Sequence, residues 1–278
     1  MSSTTQMIQA AEARWMQKLF RHNKSYFEHA GLPSHNHWHH LRVWYFIREL
    51  VEALHQRNIF YSKDELEGLI IAAFFHDIAM HRTFDEVHGK WGAELCRSYF
   101  SKANPSPPDC LPEVLQAIEL HDDKNYLHPL KVGKKPGVAV LLSAGDDLDA
   151  FGATGILRYG EILMLRGFDL DDIPKKVLTN ALSRWEHFRN TFAQNREVIH
   201  THQKRYQRLV DFFQSILENG QQAADHRAIL KHIRENLNKQ EKTHTLTGLL
   251  EPANTPTLVN FRDTIENEMQ EVGTKKFT

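Results

Sequence analysis

The sequence predicts an all-α protein. Apolar residues recur at helical spacing through nearly the whole chain, alternating strand-like runs between turn residues are scarce, and caps and breakers divide the pattern into helix-length pieces. With 278 residues, 41% of them hydrophobic, the chain can bury a substantial core.

The first helix is expected over residues 5 to 29. It ends at Gly31-Leu32-Pro33, where glycine can close a helix and proline cannot continue it. A second is expected over 37 to 57. Ser62-Lys63-Asp64-Glu65 is a capping-box pattern that starts a third at Lys63, before the apolar run Leu66 to Phe75, and this helix delivers His76-Asp77 at its carboxyl end. Helices over 86 to 102 and 112 to 122 flank the proline-rich Asn104 to Pro108, and Lys131 to Gly137 reads as a loop. Val138 to Leu142 is ambiguous between strand and helix by periodicity, and is read as helix. Amphipathic segments over 153 to 166, 171 to 182 and 184 to 218 follow, with Gly220 ending the last. A polar helix over 222 to 240 and a short one near 258 to 271 complete the chain. The expected organisation is one domain over 1 to 219, then a helical extension and polar tail over 220 to 278.

Composition narrows the function. A net charge of -1 and a pI near 7.0 give no global field toward nucleic acid or an anionic membrane. The two cysteines, Cys96 and Cys110, form no CxxC pair, which argues against a disulfide framework and a zinc-thiolate site. The polar first thirteen residues hold no apolar signal core, and no run of about 18 apolar residues occurs, so a cytoplasmic, non-membrane setting is expected. The 18 histidines stand out, because imidazole is the commonest metal ligand and also serves proton transfer near neutral pH.

Spacing gives that excess a pattern. His35, His37, His39 and His40 crowd the start of one helix, where one or two can face inward; a solvated histidine-rich turn is the alternative. His76-Asp77 emerges from an apolar segment, and a buried carboxylate needs a cation or several donors. His88, in His-Gly-Lys-Trp-Gly-Ala, and His121, in Ala-Ile-Glu-Leu-His, lie on or at the ends of amphipathic helices, where a lone histidine is more often structural than a ligand. Asp146, Asp147 and Asp149 follow another apolar run, and such crowded acidity is costly without cations.

The order His, His-Asp, His, His, Asp on successive helices resembles the HD superfamily of metal-dependent phosphohydrolases. His35-Asn36-x-x-His39 is similar to its first-ligand motif. The stretch Asp146 to Arg158 is similar to a segment reading Asp-Arg-Leu-Asp-Ala-x-Gly-Ala-x-Gly-Ile-x-Arg. Here Asp147 stands where that segment has arginine, so a basic residue beside the expected ligand is missing. The helix with Arg196, Arg205 and Arg208 resembles the carboxyl-terminal helix of one subgroup. The resemblance covers about residues 30 to 218 and implies an HD-type helical bundle. It assigns His39, His76, Asp77 and Asp146 to a minimal metal site, and His88 and His121 to a second ion, as in the bacterial diadenosine tetraphosphate hydrolases, whose motifs are similar.

The implied chemistry is hydrolysis of a phosphoester or phosphoanhydride of a small substrate, a nucleotide among the candidates, by a metal-activated hydroxide, with Asp77 and His76 at the catalytic centre. Mixed imidazole and carboxylate ligands suit iron, manganese, nickel, cobalt or zinc; two divalent ions, iron or manganese, are expected, with magnesium also admitted. Arg42, Arg82, Lys124 and Arg158 are candidates to meet phosphoryl charge, with plain surface charge as the alternative for each. Asp122 and Asp149 are candidates to orient ligand imidazoles, or Asp149 to cap a turn. No nucleic-acid or membrane partner is expected, and homodimerisation is left open. Two other readings stay open: an HD-fold di-iron oxygenase, which uses a similar ligand set, and a non-catalytic nucleotide-binding module.

Overall fold

The computed structural model describes residues 4–85, 87–102, 106–121, 134–239 and 245–272. Among them there are eleven α-helices and no strand, as the hydrophobic period requires. No helix is long and apolar enough to cross a membrane. Contacts divide the chain into two units, Met1–Ala30 with Asn36–Asp146, and Gly31–His35 with Asp147–Thr278.

The first unit holds α1 (Thr4–Phe27), α2 (His37–His55), α3 (Lys63–Phe75), α4 (His88–Lys102), α5 (Leu111–Glu119) and most of α6 (Val138–Asp149). Its centre is α3, which packs against α1, α2, α4 and α5. Every residue from Leu66 to Phe75 is buried. A helix apolar on all sides must lie inside a protein, and burial of each larger side chain contributes about 1.5–3 kcal/mol. The expected capping box fixes where this helix starts: Ser62 Oγ accepts from Glu65 N–H at 3.2 Å, and Ser62 N–H donates to Glu65 Oε2 at 2.8 Å. The buried Glu67 is held by Arg14 Nη1 at 2.7 Å and Trp15 Nε1 at 2.9 Å, which ties α1 to α3.

The ambiguous Val138 segment is helical, within α6. Two glycines set how closely α4 docks: a Cβ on Gly89 would lie 2.7 Å from Glu119 O, and one on Gly92 would lie 2.6 Å from Phe75 O. Only a missing side chain lets α4 touch the ends of both α3 and α5.

The second unit holds α7 (Gly152–Leu165), α8 (Ile173–Thr191), α9 (Arg196–Leu217), α10 (Ala223–Leu237) and α11 (Pro256–Glu271). Helices α8, α9, α10 and α11 all pack against α7. Thus α10 and α11, which follow residue 219, belong to one unit with α7 and α9. One helix boundary differs from expectation: the chain breaks at residues 192 to 195, not near 183. Serine within a helix costs only a few tenths of a kcal/mol, roughly, so Ser183 stays inside α8. The break forms instead where Asn195 N–H donates back to Phe192 O at 2.7 Å, with Phe192 buried beside Phe188.

Arg205 of α9 donates to Leu148 O at 2.8 Å and Phe151 O at 3.0 Å. The basic face of α9 therefore caps the carbonyl groups at the corner before α7.

Candidate metal centre

Asn36 accepts from Trp38 N–H at 3.0 Å and starts α2, so His39 and His40 fall in its first turn, both fully buried. Of the four crowded histidines, His39 alone joins the cluster. His40 donates from Nδ1 to Ala73 O at 3.0 Å. His35 contacts Glu161 Oε1 at 3.0 Å, and the half-buried His37 packs edge-on against Phe20.

His76 is the C-cap of α3, and Asp77 follows at the start of a 3₁₀ turn, Ile78–His81. Both are buried. Asp77 stands between two groups of ligating atoms. Its Oδ2 lies 3.2 Å from His39 Nε2 and 3.5 Å from His76 Nε2, and Asp146 Oδ1 lies 3.7 Å from His39 Nε2. Its Oδ1 lies 3.0 Å from His121 Nε2 and 3.2 Å from His88 Nε2. His39 with His76, and His88 with His121, approach through their Nε2 atoms to 3.1 and 3.2 Å. All six residues are buried and form two potential metal-binding groups that share Asp77.

The proton inventory shows what such a cluster accommodates. His76, His88 and His121 each place Nδ1 against a backbone carbonyl, at Ala73 O (2.9 Å), Asp85 O (2.7 Å) and Ile118 O (2.7 Å). A carbonyl only accepts, so Nδ1 carries the proton in each ring, and a neutral ring then presents a bare lone pair at Nε2. Burial drives the His76 pKa down to about 4, with His39 and His121 adding to the effect and Asp77 and Asp146 opposing it, so this ring is neutral at neutral pH. Burial opposes ionisation of Asp77; with protons on the imidazoles that face it, His76 and contacts from His121, His39 and His88 outweigh burial and hold the carboxyl well below its ordinary range. When these rings are neutral, the Nε2 lone pairs of His76, His88 and His121 face the Asp77 carboxylate without protons between them. Divalent cations satisfy that arrangement, and nitrogen and oxygen donors suit first-row transition metals. The carbonyls of Ala73, Ile118 and Asp85 fix ring orientation, a task that second partners commonly perform for ligating histidines.

The expected phosphate-binding and orienting residues fall in different places. Arg42 is 1% exposed, inside α2, and so is a buried cation rather than a surface charge. Arg82 is exposed, just after the 3₁₀ turn. Arg158 and Asp149, both in the second unit, pair with each other at 3.2 Å. Asp122 and Lys124 lie outside the described residues.

Sequence reasoning missed three arrangements. His40 shares the Ala73 carbonyl with His76, and backbone acceptors leave no mark in a sequence. Glu161 collects Ser34 N–H at 3.0 Å, Ser34 Oγ at 2.8 Å and His35. Asp147, where the similar segment has arginine, is buried against Arg184 Nη1 of α8 at 2.5 Å. The unusual acid at 147 was the one signal that a distant base was needed.

An all-helical unit that wraps a shared aspartate with four buried histidines and a second aspartate is a candidate metal-binding domain able to hold two ions. Residues 38–150 match the family model of the HD domain. That stretch contains all six clustered residues. HD domains are characteristic of the metal-dependent phosphohydrolase superfamily. No curated protein and no solved structure matched the chain.

Proposed function

We propose that this protein is a metal-dependent phosphohydrolase that cleaves a phosphoester or phosphoanhydride bond of a small substrate. The observation that carries this reading is the Asp77 carboxylate, with one oxygen toward His39 and His76 and the other toward His88 and His121. His39, His76, Asp77 and Asp146 would hold one divalent ion, and Asp77, His88 and His121 a second. Such ions supply Lewis acidity and make bound water acidic enough to ionise near neutral pH.

The chain's own residues prepare the site for that chemistry. Backbone carbonyls hold the Nδ1 protons of His76, His88 and His121, so the rings need no tautomer change before ligating. Ionised Asp77 contributes negative charge between the two positions. Burial of all six residues keeps bulk water from competing for them and strengthens each electrostatic contact. Exposed Arg82 is the proposed contact for substrate phosphoryl oxygen. Iron or manganese is the proposed metal.

The test is a panel of phosphomonoesters, phosphodiesters and dinucleoside polyphosphates assayed for hydrolysis with manganese, iron, cobalt, nickel, zinc and magnesium, alongside Asp77→Ala. The expected result is hydrolysis that depends on added transition metal and disappears in Asp77→Ala. Activity that survives Asp77→Ala would sink the mechanism. Dioxygen uptake by the iron-loaded protein, without hydrolysis of any panel member, would assign it to oxidation instead.

A further inference from the structure

Within the second unit a cleft of about 720 Å³ opens among α7, α9, α10 and α11. None of its lining residues belongs to the metal cluster. Its volume lies in the range of sites that enclose small organic ligands. The cleft is polarised along α9, which presents Lys204, Arg208 and Phe212 at successive turns. One end therefore carries two cations, and the part a turn or two further on is aromatic.

The aromatic part is built from stacked rings. Phe212 lies 4.2 Å from His226 with an interplanar angle of 26°, and 5.9 Å from Phe261 of α11 at 29°. Phe212 is buried, whereas Phe261 is only partly covered. Asp225, Gln222 and Asn260 add hydrogen-bonding groups to the lining. Asp225 Oδ1 already accepts from Thr257 Oγ1 at 2.9 Å, which links α10 to α11. Burial lowers the pKa of His226, so its stacked ring is neutral near pH 7 and adds no charge there.

At the cationic end, Lys204 makes no ion pair among the described residues. Arg208 Nη1 is engaged by Glu268, which leaves other guanidinium donors for a second anion. We propose that this cleft binds a nucleoside monophosphate, with its phosphate at Lys204 and Arg208 and its base against the exposed face of Phe261. Arg208 and Phe212 are four residues apart, about 6 Å along the helix axis, and the Phe261 ring lies 5.9 Å from that of Phe212, which leaves room for one pentose between phosphate and base. Two cations, one of them shared with Glu268, match a single phosphate. A flat heterocycle with donors and acceptors on its edge suits the ring stack and the surrounding amide and carboxylate groups.

The experiment is isothermal titration calorimetry of the full-length protein as purified, against AMP, GMP, CMP and UMP. Adenosine, ribose 5-phosphate and inorganic phosphate serve as part-ligands. At least one monophosphate is expected to saturate a single site, with each part-ligand weaker by roughly tenfold or more. Phe261→Ala and Lys204→Glu are each expected to weaken that binding by roughly tenfold or more. Lys204 is exposed, so Lys204→Glu is expected to keep the parent's unfolding midpoint, metal content and hydrolytic activity. Absence of binding by all four monophosphates would overturn the proposal, as would binding indifferent to both substitutions. Binding that Asp77→Ala abolishes while Lys204→Glu leaves it intact would place the ligand at the metal centre and also overturn it. Failure of the hydrolase reading leaves this result standing, because the two sites share no residue.

Discussion

Gly92→Ala is a sharp test of how α4 sets the metal centre. The added Cβ would lie 2.6 Å from Phe75 O, 3.1 Å from His76 O and 3.2 Å from Ile118 Cγ2. A close carbon-to-carbonyl contact is about 3.3 Å, so α4 must withdraw from the end of α3 by about 0.7 Å. The two carbonyls belong to the backbone that carries His76 and Asp77 and cannot swing aside as a flexible side chain can. His88 sits one turn earlier on α4, with Nε2 3.2 Å from both His121 Nε2 and Asp77 Oδ1. Metal–ligand distances tolerate only about 0.2 Å, so that retreat exceeds what coordination allows. Overpacking costs about 1–3 kcal/mol, and replacing a helical glycine returns about 1 kcal/mol. The net loss is about 0–2 kcal/mol, and each kcal/mol lowers the unfolding midpoint by about 2–4 °C. Calorimetry together with metal analysis checks both consequences. The variant is expected to lose the ion proposed at His88 and His121 and to keep the one proposed at His39, His76 and Asp146. Gly137→Ala, whose Cβ would meet nothing within 4 Å, is the control and is expected to change neither quantity. A Gly92→Ala protein with full metal content and the parent's midpoint would refute the close-approach argument.

Ser62→Ala removes the cap of α3 and is expected to cost about 1 kcal/mol, read as a lower thermal midpoint with unchanged metal content. Arg184→Ala takes away the 2.5 Å partner of the buried Asp147 carboxylate. It is expected to destabilise the protein by about 3 kcal/mol in chemical denaturation, with Asp147→Asn in the same chain restoring much of the loss. Burial, helped by Lys24, lowers the pKa of His37 from 6.5 to about 4. As pH falls, the unfolded chain therefore takes up this proton first, and the stability due to the neutral ring, complete above 6.5, drains away toward pH 4. His37→Gln is expected to show a shallower loss of midpoint over that window, and an identical slope would remove His37 as a contributor.

Local chemistry made most of the helices legible. Ser62 and Glu65 cap α3 through contacts three residues apart, so the sequence contains both partners. The unbroken apolar run from Leu66 to Phe75 required burial on every side and so announced a central helix that ends at His76-Asp77. The α8–α9 break was less legible, because Ser183 and the Phe192 to Asn195 turn differ little in local preference, and packing of Phe188 and Phe192 decides between them. Among the four crowded histidines, composition could not single out His39. Neighbouring helical residues point about 100° apart, so the rotation of α2 against α3 sends His39 to Asp77 and His40 to the Ala73 carbonyl.

The sequence by itself determined the helical class and the start of α3, and its resemblance to the HD superfamily pointed to six residues whose types and order suit metal binding. Those properties depend on hydrophobic period, capping and ligand chemistry, all written in short stretches of chain. Only the tertiary structure decided that one Asp77 carboxylate serves both histidine groups, that Gly89 and Gly92 admit α4 to the cluster, and that Asp147 answers to Arg184. It also decided that Arg158 is paired with Asp149, and that Lys204, Arg208 and Phe261 line one cleft. Each of these joins residues far apart in the chain, and their meeting is fixed by how helices pack rather than by any local preference.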